Sequence, residues 1–160
     1  LAAGVVLLLV AGGSTPLQAA PEQMLRLHAD PSHGAAQVFN AQDLEQLRAT
    51  IRASWRQAPL LPMAPETDLQ ACCLCHVDNK KVATVVLQHQ QTRVTMVVAR
   101  AQDFKKPQRG EELTPRGVNL TLHRMESVNM VTLVQGDTFI CLMSELPAEE
   151  LIDLASTLSF

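Results

Sequence analysis

Two consecutive runs, Lys81 to Gln88 and Arg93 to Arg100, constrain the fold more than any other stretch, because each is apolar on both of its faces. Val82, Ala83, Val85, Val86 and Leu87 fill the first run, and Val94, Met96, Val97 and Val98 the second. Residues of this kind favour extended backbone, and a short run without a polar face reads as a strand covered on both sides. The polar stretch His89-Gln90-Gln91-Thr92 between them predicts a hairpin. These two runs are expected to be central strands of a sheet.

The same alternation continues toward the C-terminus. Val118, Leu120 and Leu122 share one face and Asn119, Thr121 and His123 the other, which predicts a half-exposed strand over 118–124. Val128 to Val134 and Thr138 to Met143 follow as strands around the turn Gln135-Gly136-Asp137, where glycine takes positive φ without penalty. Between the halves, Asp103 to Gly117 is charged, holds Pro107 and Pro115, and reads as a long exposed loop.

Helical spacing appears twice. Leu44, Leu47, Ile51 and Trp55 form one apolar stripe, with Asn40 as the expected N-cap, Asp43 near the positive end of the dipole, and Pro59 and Pro62 closing the helix. Arg48, Arg52 and Arg56 make a second, basic stripe that reads as a solvated face. Pro147 is expected as the first residue of a last helix whose face is Leu151, Leu154, Ala155 and Leu158. One helix, about six mostly antiparallel strands and a C-terminal helix make an α+β fold, a single domain over 40–160 behind a linker at 21–39. The linker is expected to hold one short strand at Met24 to His28 and a turn at Asp30-Pro31-Ser32-His33-Gly34.

Leu1 to Gly13 is uncharged and apolar, and the chain has no initiator Met, so it reads as part of a longer gene product. Thirteen residues are too few to span a bilayer, which needs roughly 20. They fit a signal-peptide core, with Leu17-Gln18-Ala19 or Ala20 as a small-residue cleavage site, or part of a transmembrane helix. Either reading makes 1–20 an export or membrane segment and places residues 21–160 outside the cytoplasm, in the periplasm. The net charge of -3 is spread without a basic block, and one Trp, four Phe and no Tyr leave few stacking platforms, so no nucleic-acid contact is expected.

Cys72-Cys73-Leu74-Cys75-His76 satisfies the letter of the haem-attachment pattern Cys-x-x-Cys-His. On a helical turn both thiols would reach one porphyrin edge; on a strand, Cys72 and Cys75 point in opposite directions. Leu69, Ala71, Cys73, Cys75 and Val77 share one parity, which predicts a strand, with Cys73 and Cys75 on the core face and Cys72 and His76 on the other. Met96, Met125, Met130 and Met143 are available as axial ligands by count alone, and no cofactor is expected. Three uses of the thiols stay open: a disulfide of Cys141 with Cys73 or Cys75, a zinc or redox site from Cys72, Cys73, Cys75, His76 and Cys141, or buried inert thiols.

No nucleophile elbow, phosphate loop, His-Glu-x-x-His or dinucleotide fingerprint occurs, so the chain does not read as an enzyme. His28, His33, His89 and His123 are scattered singly, and Asp30 with His33 or Glu145 with Asp153 are the only acid–base pairings that suggest themselves.

The order of elements carries a resemblance. Lys81 to Leu87 followed by Thr92 to Val98, and the later run from Val128 through Gln135-Gly136-Asp137 to Ser144-Glu145-Leu146-Pro147 and Leu151, are similar to the extracytoplasmic domain of bacterial membrane-anchored anti-sigma factors. The similarity covers roughly residues 20 to 158 and is structural in character. It implies a non-enzymatic regulatory or sensor domain with a protein partner, attached to a membrane through its N-terminal segment. The cytoplasmic zinc-binding module of such proteins is not in this sequence, and Cys72 to Cys75 would lie on the wrong side of the membrane to replace it. The alternative is an exported thiol-redox or metal-binding protein.

Overall fold

A computed structural model describes residues 15–40 and 43–160. Residues 1–14, which include the apolar run Leu1 to Gly13 and most of the expected export segment, lie outside the described residues. In chain order the elements are β1 (Leu17–Gln18), α1 (Pro21–Ala29), β2 (Gln37–Phe39), α2 (Leu44–Ser54), β3 (Thr67–Val77), β4 (Lys80–His89) and β5 (Thr92–Arg100). They continue with β6 (Phe104–Lys105), β7 (Glu111–Leu113), a 3-10 turn at Pro115–Gly117, β8 (Leu120–Arg124), β9 (Asn129–Gln135), β10 (Thr138–Ser144) and α3 (Ala148–Ser156). The α+β class expected from the sequence holds, with more strands and one more helix than the sequence suggests.

Eight strands form one antiparallel sheet in the order β2-β3-β4-β5-β10-β9-β8-β7. The doubly apolar runs are β4 and β5, and both of their faces are buried. One face, with Val85, Met96, Leu142, Val131 and Leu122, packs against Leu47, Ile51 and Trp55 of α2 and Leu151, Leu154 and Ala155 of α3. The opposite face, with Val82, Val97, Ala99, Met130, Phe139 and Met143, packs against Met24 and Leu27 of α1 and against Phe104. Strand β1 pairs in parallel with β6, placing Leu17 opposite Phe104 and Gln18 opposite Lys105.

Several expectations need correction. Met24 to His28 lies in a helix, because Met24, Leu27 and His28 are spaced to bury one face against the sheet and Pro21 opens the first turn. The segment expected as a linker thus contains α1 and the edge strand β2. The N-cap of α2 is Asp43, whose carboxylate accepts from the Glu45 amide at 2.9 Å, and Asn40 plays no such part. That helix ends at Ser54, ahead of Pro59 and Pro62. Pro147 is the N-cap of α3 and the helix begins at Ala148. Asp103 to Gly117 is no featureless loop, since it holds β6 and β7 and its Asp103, Phe104 and Pro107 are buried. It also covers β8: Gly110 sits so close to Thr121 and His123 that a Cβ there would collide with both side chains, and Thr121 is buried rather than half-exposed.

The basic stripe on α2 is only partly a solvated face. Arg48 donates from Nε to the Leu61 carbonyl at 3.1 Å and from Nη1 to Glu45 at 2.6 Å, which ties the helix to the chain that follows it, while Arg52 and Arg56 are exposed.

Candidate functional site

Alternation along β3 divides its thiols between the two layers, but the sheet is covered on both faces, so Cys72, expected away from the core, is buried as well. Cys72 joins the core beneath α2, while Cys73 and Cys75 face α1 and the loop Asp30–Ala35. A register shift between Leu69 and Ala71 breaks the parity that seemed to run from Leu69 to Val77, so Leu69 packs on the α2 side. The Cys75 thiol donates to the Pro31 carbonyl at 3.6 Å, and the Thr84 hydroxyl donates to the Cys75 sulfur at 3.9 Å. Cys141 is fully buried on β10.

These surroundings keep the thiols protonated. Burial pushes Cys72 up to about 12, with smaller contributions from Cys73 and Cys75. Cys141 is raised by burial. Burial and then the Asp30 carboxylate raise Cys73; burial also raises Cys75, against the pull of the Thr84 hydrogen bond. Thiolate is the form that attacks electrophiles and binds metals, and this environment suppresses it. Thiol titration of the native protein is expected to find none of the four cysteines reactive on the minutes timescale, and all four after denaturation. A single fast-reacting thiol in the folded protein would contradict the burial described.

Of the open uses of the thiols, the disulfide of Cys141 with Cys73 or Cys75 is not formed. Cys73, Thr84, Val97 and Cys141 lie in one cross-sheet row, so β4 and β5 separate the two cysteines. Three strand spacings are about 14 Å, about twice the Cα separation a disulfide bridges. All four cysteines are free. The haem pattern fails because Cys72 and Cys75 lie on opposite faces of the sheet, and Met96, Met130 and Met143 are all buried core residues. His76 is exposed at the rim of a cleft of about 160 Å³ with Arg26, His33 and Asp78. Among the described residues no group of three or more His, Cys, Asp or Glu is placed to hold a metal ion. Asp30 and His33 form an exposed pair at 4.0 Å. Glu145 and Asp153 are not brought together, since Asp153 accepts from Arg116 at 2.6 Å in a different cleft from the one Glu145 borders.

The most organised polar site lies at His28, a residue the sequence offers only as one histidine among several. Its ring is buried at the end of α1, and Nδ1 lies 2.9 Å from the Thr95 hydroxyl of β5. Its carbonyl accepts from Arg93 Nη2 at 2.6 Å. The Arg93 carbonyl accepts from the Ser144 hydroxyl at 2.8 Å, and that hydroxyl accepts from the Leu146 amide at 3.2 Å. Thr92, Arg93, His28 and Glu145 border a cleft of about 300 Å³. The signal available in the sequence was the spacing of Met24, Leu27 and His28 behind Pro21, which puts the imidazole on a buried helical face.

Burial, then the Arg93 guanidinium, hold the His28 pKa below the ordinary 6.5, while Glu145 pulls weakly the other way. His123 is lowered too, chiefly by burial. The unfolded chain therefore binds protons that the folded chain refuses between the ordinary value and the depressed one. The stabilisation is present above pH 6.5 and is lost as pH falls below it. Urea midpoints are expected to drop from pH 7.5 to pH 5 in the native chain and to drop less in His28→Gln, which cannot take up the proton. Equal slopes for the two proteins would refute the assignment.

Compared with known proteins, the chain matches no family model and no curated protein sequence.

Proposed function

We propose that this chain is a non-enzymatic, extracytoplasmic regulatory or sensor domain, held at a membrane through its N-terminal apolar segment and acting on a protein partner, like the domain of anti-sigma factors it resembles. One observation carries the reading. The residues that follow the apolar run are built into the core: Ala19 is fully buried, and the Leu17 and Ala19 amides donate to the Asp103 and Lys105 carbonyls at 2.7 and 3.1 Å. A cut after Ala19 or Ala20 would remove β1 and uncover Phe104, which favours a retained tether over a cleaved leader. None of the described helices is long and apolar enough to cross a membrane, so the tether in this reading is the apolar run itself.

N-terminal sequencing of the product from a native host tests the tether. Retention of the residues before Thr15 is expected, and a mature terminus at Ala20 or Pro21 would sink it. For the regulatory role, deleting the gene is expected to change a defined set of transcripts. An unchanged transcript profile with a defect in thiol or metal handling would instead favour an exported thiol or metal protein.

A further inference from the structure

Charge is divided between the two ends of the sheet. At one end lie the β3–β4 turn, the end of β5, the β9–β10 turn and the last turn of α2, joined by Lys81 Nζ donating to the Ser54 carbonyl at 3.5 Å and by Arg100 donating to Gln57. Arg52, Arg56, Lys80, Lys81 and Arg100 gather there. The first turn of α1 reaches this end through Gln23, which donates to Asp78 at 2.8 Å, so Glu22 joins Asp78, Asp103 and Asp137 as its carboxylates; Asp103 is buried and engaged by Arg100 at 2.7 Å and Lys80 at 3.8 Å. At the opposite end, the start of β3, the β8–β9 turn, the segment after β10 and the first turn of α3 carry Glu66, Asp68, Glu126, Glu145, Glu149 and Glu150, set against Arg93, Arg124 and Arg116, which shares a cleft with Glu66, Glu149 and Glu150.

The N-terminal strand arrives at the basic end. The Leu17 amide bonds to the Asp103 carbonyl, the Asp103 amide bonds to that of Arg100 at 3.0 Å, and Thr15 and Pro16 are exposed just beyond. From Leu17 back to Gly13 the chain reaches at most about 14 Å. A basic surface held that close to acidic lipid is attracted to it through each Lys or Arg, an attraction that salt screens.

We propose that the basic end formed by Arg52, Arg56 and Lys81 is the membrane-facing surface of this domain and rests on anionic lipid headgroups, with the acidic end turned outward. This rests on reading the apolar run as the membrane tether. Trp55, the only tryptophan, closes α2 between Arg52 and Arg56 and serves as a native probe.

The full chain is mixed with vesicles of phosphatidylcholine alone or with phosphatidylglycerol, each carrying a lipid spin-labelled at its headgroup. Flotation with neutral vesicles reports on the tether; quenching of Trp55 reports on the basic end. Flotation with both vesicle types is expected, with several-fold stronger Trp55 quenching on the anionic ones. High salt and the exposed pair Arg52→Glu/Arg56→Glu should abolish that excess, and Glu149→Lys/Glu150→Lys should leave it intact. Flotation with equal quenching on both lipids, or quenching indifferent to the Arg reversals, overturns the orientation and leaves the tether standing. Failure to float with either vesicle overturns both.

Discussion

Replacing Phe139 by Ala is expected to lower the stability of this protein by about 3–5 kcal/mol, the usual cost of emptying a buried aromatic site. Phe139 is fully buried on β10, on the α1 face of the sheet, and stacks on Phe104 with centroids 5.5 Å apart and planes inclined by 23°. Phe104 belongs to β6, the strand that holds β1, so the cavity opens beneath a strand pairing of only two residues on each side. Loss is therefore expected in two stages of one experiment. Denaturant midpoints fall, and amide exchange at Leu17 and Ala19 speeds up more than exchange in β4. Phe160, 42% exposed at the C-terminus, supplies the control, since Phe160→Ala removes little buried surface. If the two variants cost the same, the Phe139–Phe104 layer does not hold the N-terminal strand.

Asp103→Ala is expected to cost roughly 2–4 kcal/mol, somewhat below the full penalty for breaking a buried ion pair. The discount follows from exposure. The Asp103 side chain is only 6% exposed, but Arg100 and Lys80 are 27% and 14% exposed and recover part of their hydration when the carboxylate goes. Arg100 also keeps its hydrogen bond to Gln57. The substitution removes the carboxylate that both cations engage. The main-chain carbonyl of residue 103, which binds Leu17, survives the change, so the cost measures the side chain. Chemical unfolding of Asp103→Ala, Arg100→Met and the double variant gives the coupling directly. A coupling within a few tenths of a kcal/mol, as for a surface pair, would show that the cluster contributes nothing to the fold.

Much of the sheet is legible because its signals are local. The valine-rich runs of β4 and β5 had no alternative to a central position, and the spacings of Leu47, Ile51 and Trp55 and of Leu151, Leu154 and Ala155 needed only the helical period. Helix α1 was missed because its nine residues include Glu22, Gln23, Arg26 and His28, so its apolar face is only Met24 and Leu27 with the buried imidazole beside them. Such a helix is stable only once the sheet is present to cover it. The pairing of β1 with β6 joins residues far apart in sequence through two positions each, too few to leave a periodic trace.

The thiols divide in the same way. That Cys72 and Cys75 point to opposite faces follows from the strand period alone, and so does the failure of the haem pattern. Whether Cys141 could meet Cys73 depends on strand order, and neither a Cys-x-x-Cys spacing nor the count of four records that two strands intervene.

What the sequence determined by itself was the class of the fold and the character of each long element, since side-chain period and backbone propensity act between near neighbours. What only the tertiary structure decided was the order of strands, the burial of His28 and Asp103, the capture of residues 17–19 by β6, and the gathering of basic groups at the end where that strand arrives. Each of these depends on contacts between distant segments, whose free energy comes from burying surface against partners that no local pattern encodes.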